Sequence, residues 1–256
     1  MATVTEQEAE QIDRANEMGR PPVVFVHGLW LLANSWESWA ASFEAAGYTA
    51  LTPGWPDDPA TVEEARANPG RFAGKTLNQI ADHYVEVISR LAAATVAIDP
   101  APFRGVLPLP LSALRAAWPV LGDLGNRGKA VSLTFEQFRY AFANVVSEEE
   151  ARRLYETFSV PGSGGTTFQA ATANLNPWTE AKADTRSPER GPLLIISADQ
   201  DHTVPWSIAN ASFKKQRRNA GVTEIARIPN RGHSLTFDSG SREVADRALA
   251  FVKRSM

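Results

Sequence analysis

Three short segments hold residue types that could do chemistry together. His27-Gly28-Leu29-Trp30 directly follows the apolar run Val23–Val26, Asp199-Gln200-Asp201-His202-Thr203-Val204-Pro205 follows Leu193–Ile196, and Arg231-Gly232-His233-Ser234 follows Thr223–Ile228. A histidine exchanges protons near neutral pH, a carboxylate is a natural charge partner for it, and a glycine turn lets backbone come close to a ligand. Open parallel sheets place their ligand crevice outside the carboxyl ends of the strands. An acid, a histidine and a glycine turn, each after a strand, can therefore meet at one edge.

The elements that must hold these segments follow from hydrophobic patterning. Val23–Val26 and Leu193–Ile196 are continuous apolar runs, which suits strands buried on both faces of a parallel sheet. Tyr48–Thr52, Thr95–Ile98 and Thr223–Ile228 are further strands. Trp36, Trp39, Ala40 and Phe43 fall at helical spacing, with Ser35 placed to cap and Gly47 to end that helix. Thr76-Leu77-Asn78-Gln79 has the form of a capping box, and Leu77, Ile80, Ala81, Tyr84, Val87, Ile88 and Leu91 make one apolar helical face. Val244, Ala248, Phe251 and Val252 lie on one side of a final helix. Strands alternating with helices predict an α/β fold with a mainly parallel sheet covered on both faces.

Residues 103–189 break the alternation. They carry prolines 108, 110, 119 and 161, the capping patterns Thr134-x-x-Gln137 and Ser147-x-x-Glu150, and the stripes Phe135, Phe138, Phe142, Val145 and Ala151, Leu154, Tyr155, Phe158. The segment reads as a helical insertion, the kind of element that covers a binding cleft, with Phe135, Phe138 and Trp118 as candidates for its wall or packing. The expected organisation is a flexible, solvated N-terminal arm over 1–20, a core over 21–102 and 190–256, and the insertion over 103–189.

The chain has 256 residues, 26 basic against 29 acidic, and a formal net charge of −3. That balance lacks the basic face that nucleic acid requires. There are no cysteines, which excludes disulfides, Fe–S clusters, Cys-ligated zinc and a cysteine nucleophile; four histidines leave little room for a multi-histidine metal site. No apolar run approaches the ~18 residues that span a membrane, and the acidic start does not have the form of a secretory signal. A cytoplasmic protein with a small-molecule substrate or ligand, and with no nucleic-acid or membrane partner, is the expectation.

In its order of motifs the sequence resembles the α/β-hydrolase family, from about Pro21 to Val252. An HG turn follows an early strand, an acid follows a late strand, and a histidine in a Gly-His context comes near the C-terminus, with a helical insertion before the acid-bearing strand. The resemblance implies that His233 is the general base and that Asp201 orients it, with Asp199 the competitor two residues away. It also implies that the backbone N–H of Leu29 or Trp30 forms half of an oxyanion hole. His27 and Gly28 then order the turn, while His83 and His202 are structural, and Asp57 and Asp58 are loop residues. No metal or organic cofactor is implied.

The family's nucleophile elbow, G-x-S-x-G on a strand-to-helix turn, does not occur in this sequence. Ser163, in Pro161-Gly162-Ser163-Gly164-Gly165, follows no strand. Leu91 leads through Ala92-Ala93-Ala94 directly into Thr95–Ile98, so a strand, elbow and helix of about 25 residues at ordinary element lengths is missing, and with it the central strand of the sheet. Three functional readings follow. The first is an esterase-like hydrolase for a small apolar ester or amide, its turnover impaired. The second is a non-catalytic binding protein on the same scaffold. The third is a dehalogenase- or epoxide-hydrolase-like enzyme that uses Asp99 as nucleophile.

Overall fold

The computed structural model describes residues 5–88, 95–188 and 190–255; the point at 91–94 where the sequence places the missing block lies outside them. In chain order the elements are α1 (Glu6–Met18), β1 (Pro22–Val24), α2 (Glu37–Ala45), β2 (Thr49–Leu51), α3 (Val62–Ala67), α4 (Leu77–Ile88), β3 (Thr95–Ile98), α5 (Leu111–Leu121), β4 (Ala130–Val131), α6 (Phe135–Ala141), α7 (Glu148–Phe158), β5 (Gly162–Ser163), α8 (Gly164–Ala171), β6 (Leu193–Ala198), α9 (Trp206–Gln216), β7 (Thr223–Ile228) and α10 (Ser241–Ser255).

β6 is buried along its whole length, as its unbroken aliphatic run requires. Leu194, Ile196 and Ala198 pack with Trp39 and Phe43 of α2 and with Val244, Ala248 and Phe251 of α10, while Leu193 and Ile195 turn the other way onto Ala209 of α9. Each such aliphatic side chain, once buried, contributes about 1.5–3 kcal/mol, and the two-faced burial fixes β6 as a strand with helices above and below. β3, β6 and β7 lie in that order, all parallel, with Ile98 opposite Ile196 and Ala198 opposite Ile228. This register brings the carboxyl ends of the three strands to one edge.

β1 and β2 form a separate parallel pair. Among the described residues no ladder joins β1 to β3. Phe25 donates its N–H to Leu51 and Thr49 donates to Pro21, so the alternate residue, Val24, faces away from β2; Thr95 and Asp99 donate to β6-side carbonyls, so Val96 and Ile98 face away from β6. A cavity of about 640 Å³ runs between these two free edges, lined by β1 and β3 and by Trp36 and Trp39. Val26, 43% exposed, and Ile88, 39% exposed, both border it.

The expected solvated arm is in fact a packed helix. Thr5 and Glu8 close a capping box at the start of α1, Ile12 and Ala15 are buried against Leu51 and Val87, and the buried Glu8 carboxylate meets the equally buried His83 at 2.9 Å. The acidic composition hid two apolar positions and one pairing that only the fold supplies. Ser35 caps no helix: its hydroxyl donates to the Leu32 carbonyl inside a 3₁₀ turn over Ala33–Trp36, and α2 starts after it.

Two of the three predicted capping boxes close fully, and the third closes by half. Thr76 and Gln79 exchange both box hydrogen bonds, as do Thr134 and Gln137. Ser147 accepts the Glu150 N–H, but the Glu150 carboxylate reaches across to the Ser239 N–H and hydroxyl instead. Residues 103–188 hold α5 to α8 and the short antiparallel pair β4–β5. Their aromatic stripe buries Phe138 and Phe142 in a cluster that includes Trp30, Leu31 and Phe237, which packs the segment against the HG turn. Phe138 is core and Trp118 is 66% exposed, so neither borders the cavity; Phe142 does.

Candidate active site

The β6 and β7 loops bring an acid and a histidine together. Asp201 lies three residues past β6, where its Oδ1 accepts the N–H groups of Thr203 (2.6 Å) and Val204 (2.9 Å), a local Asx-type turn that fixes the carboxyl. Its Oδ2 is 2.7 Å from His233 Nδ1. Asp201 is buried and the His233 side chain is 19% exposed, so the imidazole is held from behind and reaches the cavity in front. Burial alone would raise the Asp201 carboxyl, but the charge and hydrogen bond of His233, with the two N–H groups, hold it below the ordinary carboxylate range.

The histidine loop is tied down separately. Asp238 pairs with Arg231 and accepts the Ser234 hydroxyl at 2.8 Å; Ser234 N–H donates to the Phe142 carbonyl at 2.9 Å. The Phe142 ring stands edge-on to the imidazole, centroids 4.9 Å apart. Among the described residues no serine hydroxyl is hydrogen-bonded to His233. Ser163, expected to follow no strand, in fact ends β5 and caps α8 at a strand-to-helix turn, but it is buried and donates to the Lys75 carbonyl; Ser35 donates to Leu32 and Ser234 to Asp238. Asp199 lies outside the pairing, its N–H bound to the Ile228 carbonyl.

The HG turn reaches the same cavity, which His27, Gly28, Leu29 and Trp30 all border. Trp30 adopts φ +64°, a left-handed conformation costly for a bulky residue. It is held there by its indole N–H, which donates to the Val131 carbonyl at 3.0 Å, and by its carbonyl, which accepts from Val160. A Cβ added to Gly162 would stand 2.6 Å from the Trp30 indole nitrogen. Gly162→Ala should therefore push the ring out of place and cost about 1–3 kcal/mol, read as a lower denaturant midpoint at unchanged slope.

Below the turn lies a set of residues that sequence reasoning passed over. His27 is buried, stacked on Trp55 with centroids 5.4 Å apart, and its Nε2 is 3.0 Å from Asp58 Oδ2. Lys75, with a side chain 9% exposed, reaches Asp58 Oδ1 at 2.7 Å, and the Trp55 N–H donates to Asp58. Burial would raise the Asp58 carboxyl, but His27 and Lys75 outweigh it and hold the group below its ordinary value. Asp58 is thus the anchor of the HG turn, not a free loop residue. No spacing in the sequence signals it, because Lys75 lies 17 positions on.

Asp99 follows β3 and joins the same edge. Its Oδ1 accepts the Ala198 N–H at 3.0 Å, and its Oδ2 is 4.0 Å from His233 Nδ1. Burial pushes its carboxyl well above the usual range, and the Asp201 charge adds to that push. His202 stays outside the cluster, its Nδ1 against the Tyr140 carbonyl.

No family model matches the chain, and no curated protein matches it by sequence. Solved structures do. An extracellular α/β-hydrolase from a Paenibacillus species, described as sharing structural and functional homology with tobacco salicylic acid binding protein 2, matches at TM-score 0.62 and 18% identity, covering 91% of this chain and 99% of that one. This chain has the α/β-hydrolase fold. A polyneuridine aldehyde esterase mutant matches at TM-score 0.59 and 15% identity over 90% of this chain and 98% of its own. A pyrethroid hydrolase from Sphingobium faniae matches at TM-score 0.56 and 13% identity over 91% and 97%. The α/β-hydrolase fold thus extends over nearly the whole chain. Among the described residues no helix is long and apolar enough to cross a membrane.

Proposed function

We propose that this α/β-hydrolase-fold chain is an esterase-like hydrolase scaffold for a small, largely apolar ester or amide, with turnover impaired by the lack of a nucleophilic serine. The observation that carries the reading is the 2.7 Å contact between a buried Asp201 and a His233 that borders a cavity. In this reading His233 is the general base and acid, and Asp201 sets its tautomer and balances its charge. The backbone of Leu29 and Trp30, fixed by the His27–Asp58–Lys75 anchor, is half of an oxyanion hole. Residues 103–189 act as a lid, with Phe142 as its contact to the base. The apolar lining beside His233 and the HG turn, from Leu29, Phe142 and Phe237, sets the substrate class. Nothing favours Asp99 as nucleophile: one of its oxygens is committed to the Ala198 N–H, and the other is buried.

A serine-directed phosphonate tests this reading, since it needs a hydroxyl activated by a base and facing an oxyanion hole. The expected result is no covalent adduct in the intact mass and ester turnover near background. An adduct mapped to any serine of the unmodified chain would show a working nucleophile and overturn the impairment.

A further inference from the structure

We propose that Asp99 is a positioning residue for the acid–histidine pair: it keeps its proton in the folded chain and donates it in a hydrogen bond to the Asp201 carboxylate. An oxygen of Asp99, an oxygen of Asp201 and a nitrogen of His233 lie within 4.8 Å of one another, although the three residues follow three different strands. The Asp99 side chain is 2% exposed and that of Asp201 is fully buried. Two carboxyl groups so close and so dry do not both ionise, and one proton shared between them is the ordinary outcome.

The donors around the two groups decide which one holds the proton. Asp201 accepts N–H groups from Thr203, Val204 and His233, and donors in that number hold a carboxylate in its charged form. Asp99 accepts one backbone N–H, from Ala198, with a weaker bond from the Ser197 hydroxyl. Its other hydrogen bond is to Asp201. Between two carboxyl groups that bond needs a proton on one of them, and both Asp201 oxygens are already taken by N–H donors. His233 cannot serve Asp99 instead: its Nδ1 is 2.7 Å from Asp201 and 4.0 Å from Asp99 Oδ2. Burial and the Asp201 charge push the Asp99 carboxyl well above its usual range, in accord with this geometry. Among the described residues, Asp201 on the β6 loop and His233 on the β7 loop are the titratable groups that face Asp99. Asp201 is thus braced by donors on two sides, and His233 meets one net negative charge instead of two. This deepens the reading of His233 as a base and Asp201 as its orienting acid, and rests on it.

The test reads that proton. At neutral pH the infrared difference between the full chain and its Asp99→Asn variant should contain the C=O stretch of one protonated carboxyl. Chemical denaturation of the same two proteins gives a second reading. The unfolded carboxyl ionises at about 3.9 while the folded one keeps its proton, so folding takes up a proton and stability falls as pH rises. Above about pH 4 the parent's folding constant should therefore drop about tenfold per pH unit against that of Asp99→Asn. The asparagine keeps an N–H for Asp201 and an oxygen for Ala198, so at about pH 4 it should match the parent within about threefold, whereas Asp99→Leu, which supplies neither, should lose about tenfold or more. An Asp99→Leu chain that does not fold counts as that same loss, and the other two readings stand without it. Absence of the acid band, a ratio flat with pH, or Asp99→Leu as stable as Asp99→Asn would overturn the assignment. No arm reads turnover: failure of the phosphonate test leaves these readings intact, and an ionised Asp99 leaves the phosphonate test standing.

Discussion

A block of strand, Gly-His-Ser-x-Gly and helix inserted between Leu91 and Ala92 is expected to make the chain react with a serine-directed phosphonate and hydrolyse small esters. The reason is that the other parts stand ready. His233 is already bound to a buried Asp201 and meets the cavity beside the HG turn, and the free edges of β1 and β3 flank the space into which a new strand would run. The block supplies the nucleophile and, with the N–H of the residue after it, the second oxyanion donor. Loss of the nucleophile in a Ser–His–Asp protease costs about a million-fold in turnover, so the gain should be several orders of magnitude even with imperfect packing. His233→Ala in the enlarged chain should abolish it. A folded, enlarged chain that stays inert to both reagents would mean that the Asp201–His233 pair does not work as a base.

Asp58→Ala is expected to destabilise the fold by about 3–5 kcal/mol, the cost of leaving one partner of a buried ion pair alone. Lys75 would keep a buried ammonium with no counter-charge, and His27 and the Trp55 N–H would each lose a neighbour. The pH dependence has a definite sign. The Asp58 carboxyl sits below its ordinary value in the folded chain, so its contribution is present above the unfolded value of about 3.9 and is lost as pH falls through the lower, folded value. The gap between parent and variant in chemical denaturation should therefore be full at pH 7 and shrink below about pH 4. A gap under 1 kcal/mol at pH 7 would mean that Lys75 escapes to water and that the anchor is dispensable.

Much of the site was legible because its residues follow strands that declare themselves. Leu193–Ile196 and Thr223–Ile228 are strands in the structure, and their ends carry Asp201 and His233; Thr95–Ile98 carries Asp99. Local chemistry was legible too, since a capping box is written within four residues. What could not be read depends on contacts that sequence does not encode locally. Glu8 finds His83 from 75 positions away, which turns an acidic arm into a packed helix. Asp58 looks like any charge in a proline-rich loop until Lys75 and His27 close around it. Within one aromatic stripe, nothing local separates Phe138, which fills the core inside α6, from Phe142, which follows that helix and meets His233.

The break between β1 and β3 also bears on how the protein behaves in company. A strand edge is a template for pairing with another chain, and proteins blunt their outer edges with charge, proline or short strands. Here the edge positions are Pro22 and Val24 on one side and Val96 and Ile98 on the other, none charged, on strands of only three and four residues, so proline and shortness are the blunting devices present. They sit where an unbroken sheet would have no edge to protect. Among the described residues, the seam therefore has the character of an outer sheet edge although it lies between the two parts of the sheet, and a strand running along it would find two ladders to join at once.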